Sequence, residues 1–553
     1  MRKSVHSLYG ILTLTQKWLT MSAMLILRSV PVIRLRLQNC AATLICWRRT
    51  PSVTQPFSKH WLFSTLMKLI EEVEKDPEQG DEDAEFGLDV DEELQNELCK
   101  LWDISMNMDV ARFLQEFKAI DILISVIGKS KAPRVTEICV GILGNMACDE
   151  EISQVMSENT QLINLILMLF ENRDPPTLVE TTRLLYTSLS KSSTSGPWIT
   201  AVSESEEILN NLIFILNSST NCDLLKNAGE VIDILLDQRE DLCDAWATSQ
   251  FVTALMEAIK QIGCHHSEAL EIYFHIFQMF STMEKGVETL VACSSDLEVP
   301  LMKYLGVLCE DEIVGLDGRE ACLASTLSVL NILFLSDNSV HDKLTSNENL
   351  IRIFIKILEP LSPLVHMSRS SSSSDDSQES SQASSSSSQT ETGEDISQSV
   401  RQNGEHTMRG GGDSNSDVGG SQESDQNPQS ASYSVESDTK DSEALTTKLS
   451  VLYNIIKGFL YDLLCSLAEQ EYHTVEKTLV YLNSSCSRVR LKYLIFIVKE
   501  MSASPVCALD WLTDAANIHK QERLTRIIDD VLSGRNLNRT RSDSCSVQGS
   551  LGQ

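Results

Sequence analysis

Apolar residues recur at helical spacing along most of this chain, and between about residues 130 and 360 one helical unit repeats. A long apolar helix is predicted to open at Pro133 (PRVTEICVGILGNMAC), Pro176 (PTLVETTRLLYTSLS), Asn221 (NCDLLKNAGEVIDILL), Ser267 (SEALEIYFHIFQMFST) and Arg319 (REACLASTLSVLNILF). Subtracting each start from the next gives intervals of 43, 45, 46 and 52 residues. Periods of this size belong to armadillo and HEAT arrays, whose units bury their apolar faces only by stacking on one another. Shorter helical runs precede the long ones: TQLINLILMLFEN, EEILNNLIFILNSS and FVTALMEAIKQI. Pro133 and Pro176 stand at helix starts, where a missing N–H costs nothing. No run alternates as a strand would, so the expected fold is all-α: an armadillo/HEAT-like α-solenoid interrupted by a long disordered Ser-rich segment.

The same reading extends the array at both ends. SKHWLFSTLMKLIEEVE puts Leu62, Leu66, Leu69, Ile70 and Val73 on one helical face. Asp91 reads as an N-cap, with Glu92 and Glu93 in the first turn and Leu94, Leu98, Leu101 and Trp102 as the stripe. DVARFLQEF is expected to bury Val110, Phe113, Leu114 and Phe117. Beyond the repeats, KLSVLYNIIKGFLYDLLCSLAEQ, SRVRLKYLIFIVKEM and ERLTRIIDDVLSG resume helical periodicity and are expected to continue or cap the stack. The domains expected are a basic N-terminal segment over 1–57, repeats over 58–361 with an acidic linker at about 74–90, a disordered Ser/Asp/Gln-rich linker over 362–443, capping helices over 444–534, and a disordered tail over 535–553.

Composition sharpens this picture. A formal charge of -32 over 553 residues argues against general nucleic-acid binding, because an acidic surface repels phosphate. Glu71 to Glu97 alone holds fourteen acidic residues and one Lys, a solvated connector by composition. Residues 1–57 carry eight Lys or Arg and no acid, with charges breaking every apolar run before it could span a bilayer. That segment reads as a start-site artefact or, alternatively, as a mitochondrial presequence. Fifteen cysteines show no CxxC pair; Cys139, Cys148, Cys243 and Cys322 fall in apolar helical stretches, which suits a reducing compartment.

Signatures of catalysis are missing: no phosphate loop, no nucleophile elbow, no HExxH and no GxGxxG. Cys264, His265 and His266 cluster, but a tetrahedral metal needs a second ligand group at defined spacing, and none is visible. No enzyme activity, cofactor or metal is therefore expected. Counting twelve residues into each long helix gives Asn145, Ser188, Asp233, Met279 and Asn331. Asn145, Ser188, Asp233 and Asn331 are candidate groove contacts to a protein partner, with helix packing as the competing role. Two Asn in five is not the ladder with which nuclear-import adaptors clamp an extended peptide. In the Ser-rich segment, Ser-Gln recurs at Ser377, Ser381, Ser388, Ser397 and Ser421, and Ser373 precedes Asp376; all six serines are candidate phosphosites.

The strings SKHWLF, NELCKLWDISMNMDVARFLQEF, PRVTEICVGILGNMAC and DPPTLVETTRLL resemble the serum amyloid A-like family of armadillo-type helical repeat proteins. The match is close from Ser58 to about Leu236, and looser to about 361 and again beyond about 445. The resemblance implies a non-enzymatic, mainly nuclear protein that supports cell proliferation, with a possible cytoplasmic pool; a mitochondrial location would follow only from a genuine presequence. The expected partners are proteins, without direct nucleic-acid or membrane contact, and the expected state is a monomer. The competing expectation is a karyopherin-like adaptor that carries peptide cargo.

Overall fold

The computed structural model describes residues 58–74, 91–264, 266–310, 316, 318–347, 349–358, 361, 431–501 and 508–533. Every regular element among them is helical. Two helices lead in, α1 (Lys59–Glu74) and α2 (Glu92–Ile104). Five three-helix units follow. They are α3 (Met108–Glu116), α4 (Ala119–Lys129) and α5 (Pro133–Met146); α6 (Glu150–Glu158), α7 (Thr160–Met168) and α8 (Pro175–Leu189); and α9 (Gly196–Glu204), α10 (Glu206–Ser218) and α11 (Cys222–Gln238). The last two are α12 (Glu240–Trp246), α13 (Ser249–Ile262) and α14 (Ser267–Phe280), then α15 (Glu284–Ala292), α16 (Ser294–Leu308) and α17 (Glu320–Ser336). α18 (Asn338–Thr345) and a helix over 349–358, α19, come next. The chain resumes with α20 (Ala431–Ala468), α21 (Tyr472–Ser485), α22 (Arg488–Met501), α23 (Ala508–Ile518) and α24 (Glu522–Leu532).

Local sequence explains where these helices start. Asp91, Asn107, Asp149, Asn159, Asp174, Asn221, Thr248 and Asp337 each accept a hydrogen bond from the first-turn backbone of the helix that follows. Each such cap contributes about 1 kcal/mol, by satisfying a donor the helix cannot. Asp91 does what its position predicted. The long helices open within a residue of the predicted starts, at Pro133, Pro175, Cys222, Ser267 and Glu320.

Two expectations need correction. Each unit also carries a short first helix, and α6, α9, α12 and α15, seven to nine residues long, were not predicted because they are too short to show a clear apolar period. Phe117 is not buried; it is 43% exposed, against Phe63 and Phe113, because it falls one residue past the end of α3. In addition, α20 begins at Ala431, ahead of the expected boundary at 444. Residues 1–57, 75–90, 362–430 and 534–553 lie outside the described residues, as do all six candidate phosphosites.

Stacking places each long helix beside the next: α2 on α5, α5 on α8, α8 on α11, α11 on α14 and α14 on α17. The middle helices of the units, such as α10, α13 and α16, form a second row. Between the rows lies one continuous apolar core that includes Leu143, Leu184, Leu216, Leu235, Phe251, Phe277 and Leu330, all within 1% of full burial. Burying each such side chain contributes about 1.5–3 kcal/mol relative to leaving it in water. After the Ser-rich segment the chain returns to this core, where Phe459 of α20 sits against both Phe334 of α17 and Phe354 of α19. Among the described residues, Leu449–Ala468 of α20 forms the one unbroken helical stretch apolar and long enough to cross a membrane. Leu452, Ile456, Phe459, Leu460, Leu463 and Leu467 of that stretch are buried in protein, the ordinary state of a core helix.

Candidate protein-interaction face

Along the row of long helices, polar side chains reach from each helix to its neighbour. Asn145 Nδ2 on α5 donates to the Trp102 carbonyl and to Ser105 Oγ at the end of α2, both at 2.9 Å. Arg183 on α8 donates back to Asn145 Oδ1 at 3.2 Å and to the Gly141 carbonyl at 3.0 Å, and is paired with Glu180. Asn227 on α11 donates to the Val179 carbonyl at 3.2 Å. From α14, the Tyr273 hydroxyl donates to the Leu225 carbonyl at 2.7 Å, and His275 Nδ1 meets Asp233 Oδ1 at 2.6 Å. Ser325 on α17 donates to Gln278 Oε1 at 2.6 Å. Five consecutive junctions are thus bridged by directional bonds, and a one-turn slip would break each of them.

Glycine makes room for this ladder. A Cβ on Gly141 would run into the Trp102 ring, and one on Gly144 would lie 2.9 Å from the Arg183 guanidinium. On Gly229 it would lie 3.0 Å from the Tyr273 ring. Each glycine lets a large side chain of the neighbouring long helix rest on bare backbone.

The four candidate groove residues fall within this packing. Asn145 and Asp233 are rungs of the ladder, 6% and 1% exposed. Ser188, 1% exposed, donates to the Leu184 carbonyl of its own helix. Asn331 is 7% exposed, and its Oδ1 has no hydrogen-bond partner among the described residues; Met279 is likewise buried. These positions therefore offer little open contact surface, and helix packing is what they do. Half-buried or exposed side chains on these helices outside the ladder include Arg134, Tyr186, Ile234, Glu268, Glu271, Ile332 and Leu335. Counting from helix starts missed them because it fixed one offset, whereas the open stripe follows the 3.6-residue period of each helix.

Cys264 and His266 flank His265, which is outside the described residues, and no group of three or more metal-ligating side chains gathers among the described ones. Burial pushes the thiols of Cys139 and Cys322 up to about 12 and that of Cys309 up to about 11, so they remain protonated core groups. Lys191 is held lower than usual by burial; its Nζ donates to the Ala147 and Cys148 carbonyls and closes the end of α5 from the next unit.

A family model described as the SAAL1 C-terminal domain matches residues 208–501. Protein saal1 of Xenopus tropicalis is 38% identical over 331 residues, spanning 55% of this chain and 72% of that protein. Protein SAAL1 of Homo sapiens is 38% identical over 306 residues, spanning 51% of this chain and 65% of that protein. Among solved structures, a designed armadillo repeat protein aligns with 48% of this chain and 99% of its own at a TM-score of 0.32 and 14% identity. The crystal structure of Uso1-2 aligns with 55% of this chain and 49% of its own at 0.40 and 10%.

Proposed function

The chain belongs to the SAAL1 family, as its resemblance to serum amyloid A-like proteins implied, and from that premise we propose that it is a non-enzymatic scaffold. In this reading a partner protein lies along the row of long helices. The observation that carries the proposal is the division of labour on that row. One stripe of each helix is spent on fixing the next helix, and beside it Tyr186, Ile234 and Glu271 are half-buried and Leu335 is exposed, one on each of four successive long helices. Such an extended, pre-formed surface suits a protein segment better than a small molecule. The family resemblance supports a nuclear location with a possible cytoplasmic pool, and a role in sustaining proliferation. Nothing on this face favours a transport adaptor, since the ladder residues that would have to clamp a peptide backbone are engaged within the stack.

Proximity labelling in cells with the double variant Ile234→Asp and Leu335→Asp tests the proposal. A control, Phe214→Asp, alters the exposed α10 position of the middle row (67% exposed). The expected outcome is loss of a set of neighbours in the first variant alone, with unchanged thermal stability. Identical neighbour sets in all three proteins would remove the long-helix face as the binding surface. Nuclear and cytoplasmic fractionation of the same cells checks the location.

A further inference from the structure

The middle row of helices has an opening that the long-helix face does not use. Between α13, α14 and α16 lies a cavity of about 410 Å³. Met256 and Ile259 of α13, Leu270 and Phe274 of α14 and Tyr304 of α16 line it, each no more than 5% exposed. The Phe274 and Tyr304 rings meet edge to face at 5.5 Å between centroids, which braces that wall. Cavities that hold a ligand group are mostly apolar and typically about 300–1,000 Å³, so this one has the size and lining of a binding site.

The rim supplied by α16 adds polarity. Pro300 interrupts that helix at the cavity and has no N–H to give the Asp296 carbonyl one turn earlier. Asp296, Val299 and Lys303 are all exposed, all border the opening, and follow one another about one turn apart on one side of α16. Val299 is 56% exposed. The side chains of Asp296 and Lys303 make no hydrogen bond or ion pair among the described residues. Lys260, the other base at this opening, is already paired with Glu257 at 3.0 Å. An apolar hollow is thus flanked by one unpaired carboxylate and one unpaired ammonium, about 10 Å apart along the helix at 1.5 Å per residue. A small apolar molecule would leave both charges unused. A partner helix, with side chains three to four residues apart on one face, can meet all three positions at once.

We propose that this opening docks a short amphipathic helix of a partner protein. The helix seats a bulky apolar side chain in the cavity, with a basic residue on one side of it against Asp296 and an acidic residue on the other against Lys303. The site does not use the exposed residues of the long-helix face, so either reading can fail alone.

Fluorescence anisotropy with the full chain and labelled helical peptides tests the proposal. The probe carries Lys, Trp and Glu at positions i, i+3 and i+7. The comparison peptides replace Trp by Ser, or make both charged residues Lys, or make both Glu. The probe is expected to bind at least tenfold more tightly than the Ser peptide. Against either like-charged peptide the expected preference is about threefold, the scale of exposed ion pairs. The dibasic comparison is the stringent one, since a chain with a formal charge of -32 attracts that peptide everywhere. Lys303→Glu is expected to shift the preference to the dibasic peptide and Asp296→Lys to the diacidic one. Neither should change Tm, because both side chains are exposed and unpaired. Equal binding of the Trp and Ser peptides would overturn the proposal, and so would a rank order that either substitution leaves unchanged. Free indole bound as tightly as the Trp peptide would also overturn it, by showing a small-molecule cavity.

Discussion

The junction between α5 and α8 and the junction between α17 and α20 solve the same packing problem with different chemistry. At the first, Asn145, Arg183, Glu180 and the Gly141 carbonyl form a connected polar network beside the glycines that admit it. At the second, Phe334 and Phe459 meet at 5.3 Å between ring centroids, with Phe354 on the other side of Phe459 at 5.0 Å. α17 is buried almost all round and has Glu320 as its only ionisable residue besides Cys322. A helix buried on every side has no open stripe to offer a partner over most of its length. The polar junction holds register through direction, and the aromatic junction holds it through area. The difference locates the face available to a partner mainly on α5 to α14, with Leu335 near the C-terminal end of α17 as its last exposed position.

Breaking the aromatic junction should have the largest effect. Phe459→Ala is expected to destabilise the α17–α20 contact by about 3–5 kcal/mol, the usual cost of removing a buried ring. Hydrogen exchange should then accelerate in α19, α20 and α17 while α5 and α8 stay protected. Uniform acceleration along the chain would mean that the two junctions are not separable. Breaking the polar junction should cost less. Arg183→Met leaves Asn145 Oδ1, the Gly141 carbonyl and the largely buried Glu180 without their donor, which is expected to cost about 1–3 kcal/mol. Exchange should rise in α5 and α8 alone.

A smaller effect sharpens the comparison at the start of α18. The Ser294 hydroxyl, then the backbone N–H groups of Ser339 and Val340, hold the Asp337 carboxyl below the usual aspartate range. A carboxyl with a lowered folded pKa contributes stability that is full above its unfolded value and is lost as the pH falls through its folded value. Exchange at residues 339–340 should therefore quicken only below about pH 4, and Asp337→Asn should remove most of that dependence. A flat profile in the unaltered protein would show that this cap carries no charge-dependent stability.

Much of the architecture was legible before any coordinates, because its causes are local. Asp91 announces a helix start by chemistry alone, Pro133 does so by its fixed φ, and the 43- to 46-residue spacing requires neighbours at that distance. The first helices of the units were not legible: α12, seven residues long, has too few turns to establish a period. The ladder was half visible. Counting reached Asn145 and Asp233, but their partners Arg183 and His275 stand 38 and 42 residues further on, in other units. Periodicity says which face a side chain takes, and not which residue it meets there.

The central claim is that, among the described residues, each unit stacks on its neighbours in sequence, leaving one long-helix stripe partly open. Zero-length carbodiimide cross-linking of the full chain, read by mass spectrometry, tests it most directly. The account predicts links at Lys226–Glu268, Lys343–Glu298 and Lys68–Glu97, joining helices in adjacent layers. Abundant links within one molecule between layers far apart, such as α2 to α14, would contradict it, because they require the helices to close into a globule.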